Sequence, residues 1–310
     1  MTTNIVIQTS KLLTLDIDSS TIKGDLAFCN LKWRGKNLWV KNIVQEADNN
    51  IPALTRQQWL ENCLRNSWVK RICLDPEIGE NGLKIWADTC YRAKKPVFLR
   101  IPSNSNLPSS QKAGFWLLKR IFDWLGAAAI LITISPLMLL IALSIKILTP
   151  GPIFFRQWRV GARGKLFKVY KFRTMKIDAE KLHHTVMGMQ DGLHKLEEDP
   201  RVTSLGKWLR KSSLDELPQL LNVLRGEMSL VGPRPWALYD ALRLGDAGKA
   251  RLNAIPGITG SWQIEGRSNL LDLEAVTKWD LEYLKNWSLF KDLKILLLTI
   301  PKVLTGYGAY

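Results

Sequence analysis

Between Trp124 and Ile145 the chain runs for 22 residues without a charged side chain. As a helix this run would be about 33 Å long, enough to cross the hydrocarbon core of a bilayer. Ser135-Pro136 lies near its middle, with eleven residues of the run before it and nine after it. Proline removes a backbone N–H and crowds the preceding turn. Two arms parted there would each reach only about half the core thickness. Both flanks are basic, Lys119-Arg120 before and Lys146, Arg156, Arg159, Arg163 and Lys165 after, so the positive-inside rule assigns both ends to the cytoplasm. Two readings fit: a helix–break–helix that enters and leaves one leaflet, and a Pro-kinked transmembrane helix.

Charge narrows the partners. The 310 residues carry 44 Lys and Arg against 28 Asp and Glu, a formal +16. Residues 1–110 hold 15 basic and 10 acidic groups, and the remainder holds 29 and 18. The excess suits an anionic partner: nucleic acid, a phosphate-bearing substrate or the anionic cytoplasmic leaflet. Thirteen Trp, many beside Lys or Arg, fit a membrane interface and equally a core. The four cysteines, Cys29, Cys63, Cys73 and Cys90, have no metal-site spacing, and His183, His184 and His194 lie far from them in sequence; free thiols in a reducing compartment are expected. The first 30 residues hold no uninterrupted apolar stretch, so no signal peptide is expected.

Residues 1–102 read as a small α/β unit. Ile5–Ile17 and Leu38–Val44 are strand-like, Leu54–Leu64 and Leu83–Arg92 have helical spacing, and Val69–Leu74 and Val97–Ile101 are apolar runs. The closing strand–helix–strand predicts a parallel pair with a right-handed crossover. The unit faintly resembles anti-sigma-factor-antagonist (STAS-like) domains, which would make it regulatory or a binding unit for a protein partner. Asp16-Ile-Asp18 mimics a metal-binding Asp-x-Asp but sits in an amphipathic strand, and reads as surface. Residues 103–112, with Ser103-Asn-Ser-Asn-Leu-Pro-Ser-Ser-Gln111, form a polar linker, and residues 113–147 form the membrane segment.

Residues 148–310 carry the chemistry. From Lys146 to Lys176 there are nine basic residues and no acid. Gly151-Pro-Ile-Phe-Phe155 and Leu166-Phe-Lys-Val-Tyr-Lys-Phe172 are strand-like around a turn at Gly161-Ala-Arg-Gly164. A nucleic-acid patch would look like this; beside a membrane segment, a phosphate-facing or lipid-headgroup surface is the reading adopted. Ile177–Glu198 is an amphipathic stretch with the three histidines on a solvated face. Ser213-Leu-Asp-Glu216 then opens a short apolar helix pattern, Leu217, Leu220, Leu221 and Leu224, that stops at Gly226. The motif fits a capping box. It also places Asp215 and Glu216 at a helix N-terminus, where a carboxylate stays ionised and phosphate is attracted. Gly232-Pro-Arg-Pro235 is a rigid turn expected to bring Arg234 back toward the acids. Pro256-Gly-Ile-Thr-Gly260 opens a glycine-rich loop suited to close ligand approach that ends on Arg267. Trp287, Phe290, Leu293, Leu297 and Ile300 share one helical stripe, interrupted at Pro301, of a core helix or one lying in the membrane surface.

Six motifs occur in one order: Ser135-Pro136 in the apolar run, Tyr170-Lys-Phe-Arg-Thr-Met175, Asp199-Pro-Arg-Val-Thr203, Ser213-Leu-Asp-Glu-Leu-Pro218, Val231-Gly-Pro-Arg-Pro235 and Pro256-Gly-Ile-Thr-Gly260. Together they strongly resemble the bacterial sugar transferases of the monotopic polyprenyl-phosphate phosphoglycosyl transferase family, over about residues 115–310. The resemblance implies transfer of a sugar 1-phosphate from a UDP-sugar to undecaprenyl phosphate with Mg²⁺, starting an exopolysaccharide or other glycoconjugate. It implies Asp215 as nucleophile, with a covalent aspartyl-phosphosugar intermediate and UMP released, and Glu216 beside it at the metal. Lys171, Arg173, Arg201 and Arg234 are implied as phosphate-gripping groups, Arg267 as a nucleotide contact and Asp280 as a supporting residue. It also favours the break at Ser135-Pro136.

The fold expected is therefore α/β (α+β-like): a membrane-associated catalytic core with a reentrant helix–break–helix and interfacial helices, after a small α/β domain. The expected setting is the cytoplasmic face of the membrane, monotopic, with UDP-sugar and polyprenyl phosphate as partners and no nucleic acid. A homo-oligomer stays open. The rival readings are a conventional glycosyltransferase, which would release UDP, and a basic membrane-tethered binding or regulatory protein, which would tolerate loss of Asp215.

Overall fold

A computed structural model of the chain describes residues 3–7, 13–17, 29–42, 57–103, 107–108, 112–177, 179, 199–265 and 273–305. Two compact units separate: Met1–Arg100 with Gly164–Leu166, and the remainder.

In the first unit the run from Ile5 to Ile17 is two strands, β1 (Thr3–Ile7) and β2 (Leu13–Ile17), paired antiparallel with Ile5 opposite Leu15. A four-stranded sheet follows in the order β3 (Cys29–Arg34), β4 (Asn37–Asn42), β5 (Arg71–Leu74), β6 (Val97–Leu99). The sequence pattern had missed β3, which turns into β4 through Gly35 at φ 57°. Strands β4, β5 and β6 are parallel to one another, as the strand–helix–strand order demands. Helices α1 (Gln57–Asn66) and α2 (Gly79–Arg92) supply Leu60, Leu64, Leu83 and Trp86 to this unit's buried residues.

The second unit starts with α3 (Ala113–Leu148), 36 residues long and the only described helix apolar and long enough to cross a membrane. It runs through Ser135-Pro136 without interruption, correcting the expectation of a break in the helix there. The physical reason is local. Pro136 cannot donate to the carbonyl of Ile132, four residues back, and Ser135 Oγ donates to that oxygen instead at 2.8 Å. Most of its apolar side chains point outward, Ile132 and Leu139 among them. Near its start the opposite is true: Lys119 and Asp123 are buried. Lys119 Nζ donates to Asp292 Oδ2 at 2.7 Å and to Val231 O at 3.0 Å, and Asp123 accepts from Ser229 Oγ and the Leu230 N–H.

Strand β7 spans Phe154–Val160, later than Gly151–Phe155, because Gly151 adopts φ 115° and Pro152 lacks an N–H. It sits between β8 (Leu166–Phe172) and the later β10 (Trp236–Ala237). Helix α4 (Ser204–Lys211) is capped by Thr203, whose Oγ1 accepts from Gly206 N at 3.0 Å. A 3₁₀ segment, Leu214–Gln219 with Pro218 inside it, runs into α5 (Leu220–Leu224), and Gly226 at φ 76° ends the turn after it. The capping box does not form: Ser213 is left-handed at φ 55° and makes no side-chain cap.

Strand β9 (Ser229–Val231) pairs in parallel with β11 (Gly257–Thr259). Between them lie β10, α6 (Leu238–Arg243) and α7 (Asp246–Lys249). After β11 come α8 (Ser261–Glu265), α9 (Leu273–Lys285) and α10 (Leu289–Thr305). Helix α10 continues past Pro301, so that residue does not interrupt it. Trp287 precedes the helix and is buried, whereas Phe290, Leu293, Leu297 and Ile300 are exposed; the stripe faces outward while Ile295 joins the core of β9, α5 and α3.

Candidate functional site

The site forms where β8, the 3₁₀ segment and the turn after β9 converge. Lys171 stands at the end of β8, and its Nζ lies 2.6 Å from Glu216 Oε1. Arg234, from the Gly-Pro-Arg-Pro turn, places Nη2 3.2 Å from the same oxygen. That turn is fixed by the neighbouring strand: Gly232 N donates to Thr259 O at 2.9 Å and Gly257 N to Pro233 O at 2.8 Å. A Cβ at Gly232 would stand 2.8 Å from Ile255 O and 2.9 Å from Gly257 N, so no larger residue fits without moving backbone. One carboxylate thus holds two cations that arrive from opposite sides of the sequence.

Asp215 is 8% exposed. Burial pushes its carboxyl up to about 6; Lys171, Arg210 and Arg234 oppose the rise and Glu216 adds to it. The residue pattern predicts a capped helix N-terminus that keeps Asp215 ionised. With the cap absent, the opposing force comes from these three cations instead. Above pH 6 the group is a desolvated carboxylate, which is a better nucleophile than a hydrated one.

Arg159, Lys171, Glu216 and Arg234 line a narrow cleft, with Val169, Pro235 and Ile258 as apolar wall. Arg159 was read from sequence only as flanking charge. It reaches the cleft because β7 pairs with β10, letting Nη1 donate to Pro235 O at 3.1 Å. Arg210 belongs to none of the sequence motifs; its Nε donates to Thr174 Oγ1 at 3.0 Å from α4. Strand pairing, which the sequence does not display, brings Arg159 to the cleft, and α4 brings Arg210 within electrostatic range of Asp215.

The other expected residues divide. Arg173 is buried and directed away from the acids: Nη2 donates to Thr149 O at 2.6 Å and Thr149 Oγ1 at 2.8 Å, closing the end of α3. Arg201 forms a buried bidentate pair with Asp199, 2.8 and 2.6 Å, whose hydrogen bonds hold the Asp199 carboxyl below its ordinary range. It fastens the segment that leads to α4. Asp280 pairs with Arg251, both of them 1–2% exposed. Burial raises the Asp280 carboxyl to about 6 against the opposing charge of Arg251. Arg251 also donates to Arg234 O at 3.0 Å and lies 4.5 Å over the Trp236 ring. Asp280 therefore bears on the cleft through Arg251 and the backbone of Arg234. Arg267 and the three histidines lie outside the described residues, as does Asp18.

Among the described residues no three His, Cys, Asp or Glu gather as a metal cluster. Asp215 and Glu216 are consecutive carboxylates close enough for the charge of Glu216 to raise the Asp215 carboxyl. That set fits Mg²⁺, which takes one or two protein carboxylates and completes its shell with water and substrate phosphate.

Residues 115–306 match the family described as bacterial sugar transferase. A galactosyl transferase CpsE of Streptococcus agalactiae is 47% identical over 165 residues, which are 51% of this chain and 36% of that protein. The exopolysaccharide production protein ExoY of Rhizobium meliloti is 44% identical over 202 residues, 63% of this chain and 88% of its own. A UDP-glucose:undecaprenyl-phosphate glucose-1-phosphate transferase of Caulobacter vibrioides is also 44% identical over 202 residues, 63% of this chain and 72% of its own. The match to CpsE thus spans about a third of that protein.

Proposed function

The chain belongs to the bacterial sugar transferase family, and from that premise we propose that it transfers a sugar 1-phosphate from a UDP-sugar to a polyprenyl phosphate, undecaprenyl phosphate by analogy with the relative from Caulobacter vibrioides. The observation that carries the proposal is the buried Asp215 beside a cleft of cations. A desolvated carboxylate within the field of Lys171, Arg210 and Arg234 is arranged to attack phosphorus in a substrate whose phosphates those cations attract.

In the first step an Asp215 oxygen bonds to the sugar-bearing phosphorus, and the bond from that phosphorus to the UMP oxygen breaks. Lys171 and Arg234 neutralise the charge spreading over the phosphoryl oxygens, while Glu216 fixes both cations. In the second step a polyprenyl phosphate oxygen attacks the same phosphorus, and the acyl–phosphate bond breaks to restore Asp215. Held by Asp215 and Glu216, Mg²⁺ would supply further neutralisation of the diphosphate. The long apolar helix α3 and the outward apolar stripe of α10 would keep the cleft near the lipid acceptor at the cytoplasmic face; we propose a monotopic arrangement in which α3 stays helical and bends at Pro136, since both its flanks are basic.

The test is mass spectrometry of the protein incubated with UDP-sugars and Mg²⁺ but no lipid. One phosphosugar mass should appear on the chain with one equivalent of UMP, and Asp215→Asn should abolish both. Release of UDP would assign the protein to conventional glycosyl transfer.

A further inference from the structure

Three consecutive residues of α8, Ser261, Trp262 and Gln263, are each more than nine-tenths buried, and each carries a polar atom with no hydrogen-bond partner: Oγ, Nε1 and Oε1. Native interiors rarely leave such groups unpaired, and a run of them points to a ligand or ordered water that completes the set. Of the three, Gln263 is located by its own contacts. Its Nε2 donates to Ile258 O at 3.4 Å, which leaves Oε1 as the acceptor without a donor. A Cβ at Gly260 would lie 3.7 Å from that oxygen and 2.4 Å from Gly232 O. Gln263 Oε1 therefore sits beside the junction of two turns, one of which continues into Arg234.

That junction is the carboxyl edge of a parallel strand pair. Thr259 of β11 is in register with Val231 of β9, so both chains leave the sheet on the same side, where ligands of parallel sheets bind. Ile258 lines the cleft with Lys171, Glu216 and Arg234, and its carbonyl is the group that holds the Gln263 amide. The chemistry of the missing partner is constrained by the orphan itself. A carbonyl oxygen accepts only, so it repels phosphate and requires an O–H or N–H donor. The cations already serve the phosphates.

We propose that Gln263 Oε1 accepts a hydrogen bond from a neutral donor on the nucleotide sugar, a sugar hydroxyl or the imide N–H of the base, and so helps to set which donor substrate is used. This rests on the phosphoglycosyl transferase reading above. A buried acceptor discriminates strongly, because an analogue lacking the donor leaves it unpaired.

The experiment uses the full-length protein in detergent or nanodiscs and follows UMP release. Gln263→Met keeps the volume and removes the amide. Its KM for the UDP-sugar that the wild type prefers should rise roughly three- to tenfold, the scale of one neutral hydrogen bond. Two arms separate the sources. Competition by UMP against N3-methyl-UMP reads the base, and relative rates with a deoxy series of that UDP-hexose read the sugar. Wild type should discriminate in one arm, and Gln263→Met should lose that discrimination. Wild-type discrimination is measured on an unaltered chain, so its absence in both arms overturns the proposal whether or not the variant folds. A folded variant that matches wild type in both arms also overturns it. Wild type that releases no UMP from any UDP-sugar overturns the transferase reading and this inference together.

Discussion

Arg234 and Glu216 are 18 positions apart in the chain and 3.2 Å apart in space, with Lys171 on the same carboxylate oxygen. Glu216 is the clasp between the basic strand and the proline-flanked turn. Glu216→Gln should leave Lys171 and Arg234 without their counter-charge, and they would be drawn onto Asp215. The expected result is a fall of about 10²–10⁴ in the rate of adduct formation, the usual weight of a positioned charge at a reacting centre, with the helical content unchanged by circular dichroism.

The raised Asp215 carboxyl sets a pH dependence. Attack requires the ionised form, so adduct formation should be low at pH 5 and reach a plateau above pH 7, with its midpoint near the value of about 6 to which burial raises the group. Single-turnover UMP release across that range checks it. A midpoint near 4 would contradict the desolvation described here.

The same shift predicts a stabilising variant. Asp215 titrates from about 6 in the folded state against 3.8 as a free side chain, so ionisation disfavours folding, and the penalty is fully present above pH 6. Asp215→Asn should then be more stable than wild type by about 1–3 kcal/mol at pH 8. The advantage should shrink as pH falls from 6 toward 4. Thermal denaturation at pH 8 and pH 4.5 measures it.

Arg251 and Asp280 form a pair almost without solvent contact. Removing Arg251 strands the buried Asp280 carboxylate, so Arg251→Met should cost about 3–5 kcal/mol at pH 8 and lower activity through Arg234, whose carbonyl Arg251 holds. The double variant Arg251→Met/Asp280→Leu should recover much of the stability and little of the activity. Denaturation midpoints and UMP release, measured together, separate the two effects.

Ser135→Ala should destabilise α3 by about 1 kcal/mol, because the Ile132 carbonyl then faces lipid with no donor. The size of that loss in detergent, compared with Ser144→Ala elsewhere on the helix, tests the substitution of Oγ for the missing N–H.

The strong local signals were legible in the sequence: the apolar run, strand β8, the stop at Gly226 and the return of Arg234 toward the acids. What the sequence concealed was nonlocal. Strand β7 sits between β8 and β10, and this pairing carries Arg159 to Pro235. Arg173 reads as one more cation of a basic strand, yet the left-handed Gly151 lets it fold back against the end of α3, where a Cβ would stand 2.4 Å from its guanidinium. Ser213 has the residue type of a helix cap, but the chain enters the 3₁₀ segment through a left-handed step that a residue pattern does not reveal.

Lys119 and Asp123 make the membrane helix an internal part of the catalytic unit. They are the partners of Asp292, of the Ser229 hydroxyl and of the Leu230 N–H, and β9 leads directly into the turn that presents Arg234. A shortened chain that began at Phe154 would keep every residue of the cleft, yet it would strip the buried Asp292 of its cation and the Leu230 N–H of its acceptor. Deleting the anchor to obtain a water-soluble version would therefore undo the enzyme, and the last turns of α3 are built in as well, with Ile141 and Ile145 packed beside Phe172 and Leu209.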